Sequence, residues 1–330
     1  MIKKLLTSPF GWILGIVLSI GICLGALFMG SVDHQTLMNT DIGSKILWDI
    51  RIPRVLLAFV IGASLSLSGV LIQSNVRNPL ADPSLIGVSA GAALGAALMI
   101  VAAEFVGFET QYYIPIAAFV GGILATMTVL KLGRNDLPGG MALLILAGIA
   151  INVVAASLIG LLSYIATDSA LRHITFWSLG SLASANYFWL ALCSIALLIV
   201  CIWLPKQHRK LDAILLGQAE ANTMGVDVKR LQIQSIILVA LLASLAVSAC
   251  GIIGFIGLVT PHIGRMLVGA SHRYLLPLSF FLGGSLLVIA DGMARTIIAP
   301  AELPIGIVTA LIGAPVFIWL LVREGRRLQW

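Results

Sequence analysis

The chain has 330 residues and a net charge of +6, with 59% hydrophobic and only 10% charged residues. A soluble domain carries about 25% charged residues, so this composition excludes a globule with a water-facing surface. The positive excess sits at the ends of apolar runs, where it sets membrane topology, and it does not point to nucleic acid.

Apolar stretches of about 20 residues, the length that crosses a ~30 Å hydrocarbon core, recur from end to end. Backbone polar groups in lipid must be satisfied within the segment, so these stretches are helices; the short alternating strands of a barrel are absent from the sequence. The pattern predicts an all-α, polytopic membrane protein, a single domain over 1–330. It has about ten spans, near 11–30, 55–75, 85–103, 114–131, 141–164, 187–204, 233–251, 253–268, 276–297 and 304–322. The run after Met1-Ile-Lys-Lys is too long for a signal peptide and no small-residue cleavage site follows it cleanly, so it is expected to be retained as the first span. The eighth holds Pro261, His262 and Arg265 and is expected to be a partial or broken helix. Gly62 with Ser66, and Gly87, Gly91 and Gly95, have the four-residue spacing that lets helix backbones approach closely, read here as packing within the chain. Cys23, Cys193, Cys201 and Cys250 lie in apolar runs at no metal or redox spacing and are expected to be small buried hydrophobes.

With the N-terminus in the cytoplasm, only Lys45, Arg51, Arg54, Arg172 and Arg295 of the 20 basic residues fall outside. The positive-inside rule therefore places both termini in the cytoplasm and favours an even number of spans. Between spans two and three, Pro79 and Pro83 forbid a continuous helix and Asp82 is placed to cap the next one. The largest polar segment, 206–230, reads as two short helices: one with Asp212 as N-cap and Gly217 as stop, and one from Gln218 to Met224 before Gly225. Leu215, Leu216, Ala219 and Met224 form an apolar stripe there. It fits either a groove on a partner or the lipid headgroups, and spacing leaves both open. After span five, Thr167 to Trp177 reads as a capped surface helix with Asp168 four residues before Arg172. No phosphate loop, H-E-x-x-H pair, Cys/His cluster or nucleophile elbow occurs, so nothing argues for an enzyme.

Several longer motifs run through the chain in order. They are Arg51-Ile-Pro-Arg54, Ser68-Gly69 with Gln73, Asn78-Pro-Leu-Ala-Asp-Pro83, Gly254-Phe-Ile-Gly-Leu-Val-Thr-Pro-His262, His272-Arg-Tyr-Leu-Leu-Pro277, Ala290-Asp291 with Ala294-Arg295, and Glu302-Leu-Pro-Ile-Gly306 with Gly313-Ala-Pro-Val-Phe317. Together they resemble the iron-siderophore, haem and cobalamin permease family of ATP-driven importers, over nearly the whole chain. The resemblance implies a type II ABC importer permease fold of ten helices, the second half repeating the first upside down. It implies a multi-pass permease of the bacterial inner membrane that works as a homodimer with the pathway at its interface. Two ATP-binding cassette subunits and a periplasmic substrate-binding protein would complete the importer. ATP and Mg would belong to the separate ATPase, leaving this chain without catalytic residues, metal or cofactor.

By the same resemblance, cytoplasmic coupling helices fall at about 212–225, with Leu215, Leu216, Gly217, Ala219 and Glu220 touching the ATPase. Arg51, Arg54 and Arg295 form an outer docking surface for glutamates of the binding protein. Arg172 and His173 lie beside the pathway entrance, where Arg172 is placed to pair with a haem propionate and His173 to meet the iron or the ring. Leu137-Pro-Gly-Gly140, Ala147-Gly-Ile-Ala-Ile-Asn152 and the segment from Ala170 to Leu182 look most like haem permeases, with ferric siderophore and cobalamin permeases as alternatives. A secondary, ion-coupled transporter would need ionisable groups near mid-bilayer; Asp291, toward the outer end of span nine, comes nearest.

Overall fold

The computed structural model describes residues 6–30, 40–107, 112–133 and 140–327. Lys3, Lys4, Arg134 and most of the Leu137–Gly140 motif lie outside the described residues. Each expected span has a helix in its place: α1 (Pro9–Leu27), α3 (Ile52–Val76), α4 (Val88–Val106), α5 (Tyr113–Leu132), α6 (Gly140–Ile165), α8 (Tyr187–Trp203), α11 (Val228–Cys250), α12 (Ile256–Val268), α13 (His272–Thr296) and α14 (Ile305–Arg327). Short helices complete the chain: α2 (Asp41–Lys45), continued by a π-helical turn Ile46–Arg51 into α3, then α7 (Asp168–Ser178), α9 (His208–Leu216) and α10 (Gln218–Thr223). Among the described residues there is no strand. Among the described residues seven helices are long and apolar enough to cross a bilayer, and Gly11–Leu27, Ile256–Val268 and Ile305–Trp319 are shorter apolar stretches.

Helix α3 is the axis of the bundle, with α8, α11, α12 and α13 packed around it. Lipid tails are as apolar as leucine, so helices in a membrane associate through close van der Waals packing and interhelical hydrogen bonds. Small residues supply both here. A Cβ on Gly62 would fall on the Gly283 carbonyl of α13, and one on Gly69 on the Gly257 carbonyl of α12. At the same crossings Ser66 Oγ donates to Ser279 O (2.7 Å), and Thr260 Oγ1 lies 2.7 Å from Ser66 Oγ. Gly91 and Gly95 press against Gly121 and Ala117 of α5. Both small-residue stripes are thus used within the chain. By contrast α6 turns Leu146, Val153, Val154, Leu161 and Tyr164 outward, a surface that only lipid or a partner helix can cover.

The eighth span is the short one. Its 13-residue helix covers about 20 Å at 1.5 Å per residue. The chain enters it from α11 through the non-helical residues 251–255. Irregular backbone at membrane depth must be satisfied by protein. Here Ser181 N donates to Cys250 O (2.7 Å), Ile305 N to Gly180 O (3.1 Å) and Gly306 N to Leu179 O (3.0 Å). Gly180 and Gly251 both take positive φ (71° and 72°) in this junction, which glycine adopts without a Cβ penalty. Between α3 and α4, Asp82 Oδ1 accepts from Ser84 N (2.8 Å) and caps the 3-10 turn Pro83–Ile86, as the sequence suggested.

The helix crossings give the first prediction. Gly69→Val should cost about 1–3 kcal/mol or more through overpacking. Gly21→Ala, in open space on α1, should stay within about 0.5 kcal/mol of the parent. Thermal unfolding of the detergent-solubilised chain measures both.

Candidate functional site

The bundle has two polar ends. The first carries Arg51, Arg54 and Arg295, the expected docking surface for the binding protein. All three are buried, at 5%, 5% and 6% exposure. Arg54, in the first turn of α3, forms an ion pair with Asp291 of α13 (2.9 Å) and grips both oxygens of Glu302 (3.0 and 2.9 Å). Arg295, one turn beyond Asp291, pairs with its other oxygen (3.0 Å). Arg295 also donates to Met29 O and Ala26 O, both at 3.1 Å, and Arg51 donates to Leu27 O (2.7 Å). Two guanidinium groups thus close the C-terminal end of α1, where free carbonyls and the helix dipole favour cations. The physical reason for the burial is that α3 is central, so a charge on its first turn must find partners inside the protein. A cavity of about 130 Å³ opens beside the cluster, lined by Gly30, Arg51, Arg54, Arg295 and Glu302 among others. The Glu302 side chain, 41% exposed, is the acid that reaches its surface.

The helix α7 follows α6 directly. Thr167 caps it by accepting from Ala170 N, and its hydroxyl is bonded to the Glu104 carboxylate. Ala170 and Ile174 are buried, whereas Arg172 and His173 are both exposed. Asp168, four residues before Arg172, does not pair with it; among the described residues Arg172 has no ion pair.

The other polar end carries α9 and α10. Asp212 was expected to cap the first of these helices, but α9 begins four residues earlier, at His208. Asp212 lies within it and reaches across to α13, where Oδ1 accepts from His272 N (2.8 Å) and contacts Nδ1 (2.6 Å). It therefore caps another helix, whose own N-cap, Ser271, makes no side-chain capping bond. Burial alone would raise the Asp212 carboxyl, but the bonds from His272 and Ser271 hold it below the ordinary carboxylate range. Gly217 ends α9 with φ 139° and ψ 156°, a conformation open essentially to glycine alone. Leu211, Ala213, Ile214 and Ala221 anchor the inner face of the hairpin. Leu216 (68% exposed) and Met224 (63%) point away from the bundle, and Ala219 and Glu220 are exposed beside them, with Leu215 half-buried. An anchored hairpin that displays apolar side chains on its far face has the form of a docking element.

The sequence reading assigned no role to Glu302, His272 or Ser74. Glu302 and His272 stand in the motifs above, but their partners are remote in the chain and no local spacing signals the contacts.

A family model described as the FecCD transport family matches residues 12–323. The chain is 42% identical over 315 residues to the hemin transport system permease protein HmuU of Yersinia pestis, covering 94% of each. It is 37% identical over 285 residues to the vitamin B12 import system permease protein BtuC of Vibrio cholerae, covering 86% of this chain and 85% of that one. Its structure matches that of a metal-chelate type ABC transporter in an inward-facing conformation, with a TM-score of 0.87, 33% identity and coverage of 96% of this chain and 100% of that chain. The chain is a multi-pass membrane permease of an ABC importer and belongs to the FecCD transport family.

Proposed function

We propose that this permease carries haem across the bacterial inner membrane, as a homodimer served by two ATP-binding cassette subunits and a periplasmic haem-binding protein. The observation that carries the haem reading is the 42% identity to a hemin permease across 94% of both chains. Cobalamin is the second reading, on the 37% identity to a vitamin B12 permease. Both termini face the cytoplasm in this reading, so α9 and α10 lie inside and the arginine cluster outside. ATP and Mg are bound by the partner ATPase, and this chain performs no bond chemistry. It supplies a path whose access alternates because its partners bind the two states differently.

In the same reading Leu215, Leu216, Gly217, Ala219 and Glu220 contact the ATPase. A cysteine at Leu216 should cross-link to the ATPase subunit in the assembled complex. Gly217→Val should cut uptake at least about fivefold with normal membrane insertion, since a β-branched residue is strained at this backbone position. Failure of the cross-link together with full uptake in the valine variant would remove the coupling role.

Arg51, Arg54 and Arg295 serve docking from below the surface, by holding Glu302 and the end of α1 in place. Arg54→Ala leaves the Asp291 carboxylate buried and short of a partner and should cost about 3–5 kcal/mol. Glu302→Gln, at a half-exposed position, should cost less than about 1 kcal/mol while altering affinity for the loaded binding protein. Thermal unfolding and binding titrations separate the two effects.

Arg172 and His173 are assigned to the pathway entrance, with Arg172 meeting a haem propionate in passing. Vesicles reconstituted with Arg172→Ala should take up haem several-fold more slowly with the ATPase fully assembled. Wild-type rates would remove this site. Uptake of a cobalamin or siderophore but not of haem would overturn the substrate.

A further inference from the structure

Ser74, His272 and Asp212 lie in one hydrogen-bonded line. Ser74 Oγ is 2.5 Å from His272 Nε2, and His272 Nδ1 is 2.6 Å from Asp212 Oδ1. The order is that of a hydrolase triad, but the environment is not. Ser74 is fully buried and His272 is 1% exposed, so no substrate carbonyl reaches the serine. Ser74 Oγ also lies 2.7 Å from Val70 O, so its one proton serves either that carbonyl or Nε2. On the other side Asp212 Oδ1 already takes the His272 backbone N–H (2.8 Å), and its carboxylate is an acceptor, so Nδ1 must donate. The ring thus joins the Asp212 carboxylate on one side to the buried Ser74 hydroxyl on the other.

The line joins three elements. Asp212 belongs to α9 of the exposed hairpin, His272 is the first residue of α13, and Ser74 lies in the last turn of α3, the central helix. Three of the charged and titratable groups nearby are engaged elsewhere, while Arg209 and Lys210 share α9 with Asp212. His208 Nδ1 bonds to Pro205 O, Arg273 stands 5.6 Å from the centre of the Tyr274 ring, and Arg265 of α12 donates to Gln73. Among the described residues Asp212 is the one acid bonded to His272.

We propose that Asp212, His272 and Ser74 form the tie that transmits movement of the α9–α10 hairpin to α3 and α13, with His272 the positioning residue at its centre. This rests on the reading of the hairpin as the ATPase contact. Packing alone would let the hairpin slide over an apolar surface. A line of short hydrogen bonds through a buried ring is directional, and drawing it apart would leave the His272 ring buried without its partners.

The test uses the complete permease–ATPase complex in vesicles. His272→Gln keeps a hydrogen-bonding side chain but removes the ring whose two nitrogens bond at opposite ends. Uptake should fall about tenfold while ATP hydrolysis stays within about twofold of the parent, which is uncoupling and not loss of assembly. Asp212→Asn should lower uptake similarly, and the double variant should be no worse than either single, as expected for two members of one linkage. Uptake within about twofold of the parent in His272→Gln, or additive losses in the double variant, would overturn the proposal. A second measurement needs no loss of function. The chain has five histidines, so ring-nitrogen NMR of the histidine-labelled complex, compared with His272→Gln, identifies the His272 signals. An Nδ1 proton held in a short hydrogen bond that Asp212→Asn removes supports the tie, and a parent spectrum without such a proton overturns it; if His272→Gln does not fold, the signal that Asp212→Asn displaces makes the assignment. The cysteine cross-link at Leu216 is read in the same parent complex. If that link is absent, the hairpin reading fails on its own, whatever state His272 is in.

Discussion

The close approach of α3 to its neighbours is the constraint on which the rest of this structure depends. In lipid no apolar surface is hidden from water by bringing two helices together, so cohesion comes from contact at van der Waals distance and from hydrogen bonds between backbones. At Gly62 and Gly69 the facing carbonyls of Gly283 and Gly257 occupy the volume of the missing side chains. Ser66 then adds bonds to Ser279 and Thr260 where the helices meet. The polar ends of the bundle are built on this frame. Arg54 begins the same helix that Ser74 nearly ends, so the arginine cluster and the His272 line are anchored to one rigid rod of 25 residues.

Charge follows from that geometry. Putting a guanidinium on the first turn of the most enclosed helix would be costly if it were alone. Asp291 serves Arg54 and Arg295 together, and α1 offers its last carbonyls to Arg51 and Arg295. One acid, three arginines and a helix end thus satisfy one another, and Glu302 carries the network to the surface. At the opposite end a single carboxylate, Asp212, both caps α13 and pairs with His272. In each case a polar group is stable inside the protein because one partner performs two electrostatic tasks.

Run length located the helices, and the shortness of the eighth with its Pro261, His262 and Arg265 marked it as partial; its helix is short because residues 251–255 are non-helical, whereas Pro261 lies inside it. The use of Gly62 and Gly91 within the chain, and the cap at Asp82, were also legible, since each is a local signal. The burial of the arginines was not legible, because the acids that draw them inward lie 237 and 248 positions away from Arg54. Asp212 was misjudged for a similar reason. A carboxylate before an apolar run reads as an N-cap, and only the fold brings the start of α13 close enough to claim it.

The separation between Arg54 and Asp291 also bears on how the protein is made. The chain enters the membrane from its N-terminus, so α3 is inserted long before α13 exists. Throughout that interval Arg54 has neither of its acids. Its place in the first turn of α3 allows the guanidinium to wait at the lipid–water interface, where a cation is far less costly than at mid-bilayer. The final enclosure of the cluster can occur only once the ninth span and Glu302 have emerged. The charge network is therefore a late event in biogenesis, the step that converts a set of inserted helices into one locked bundle.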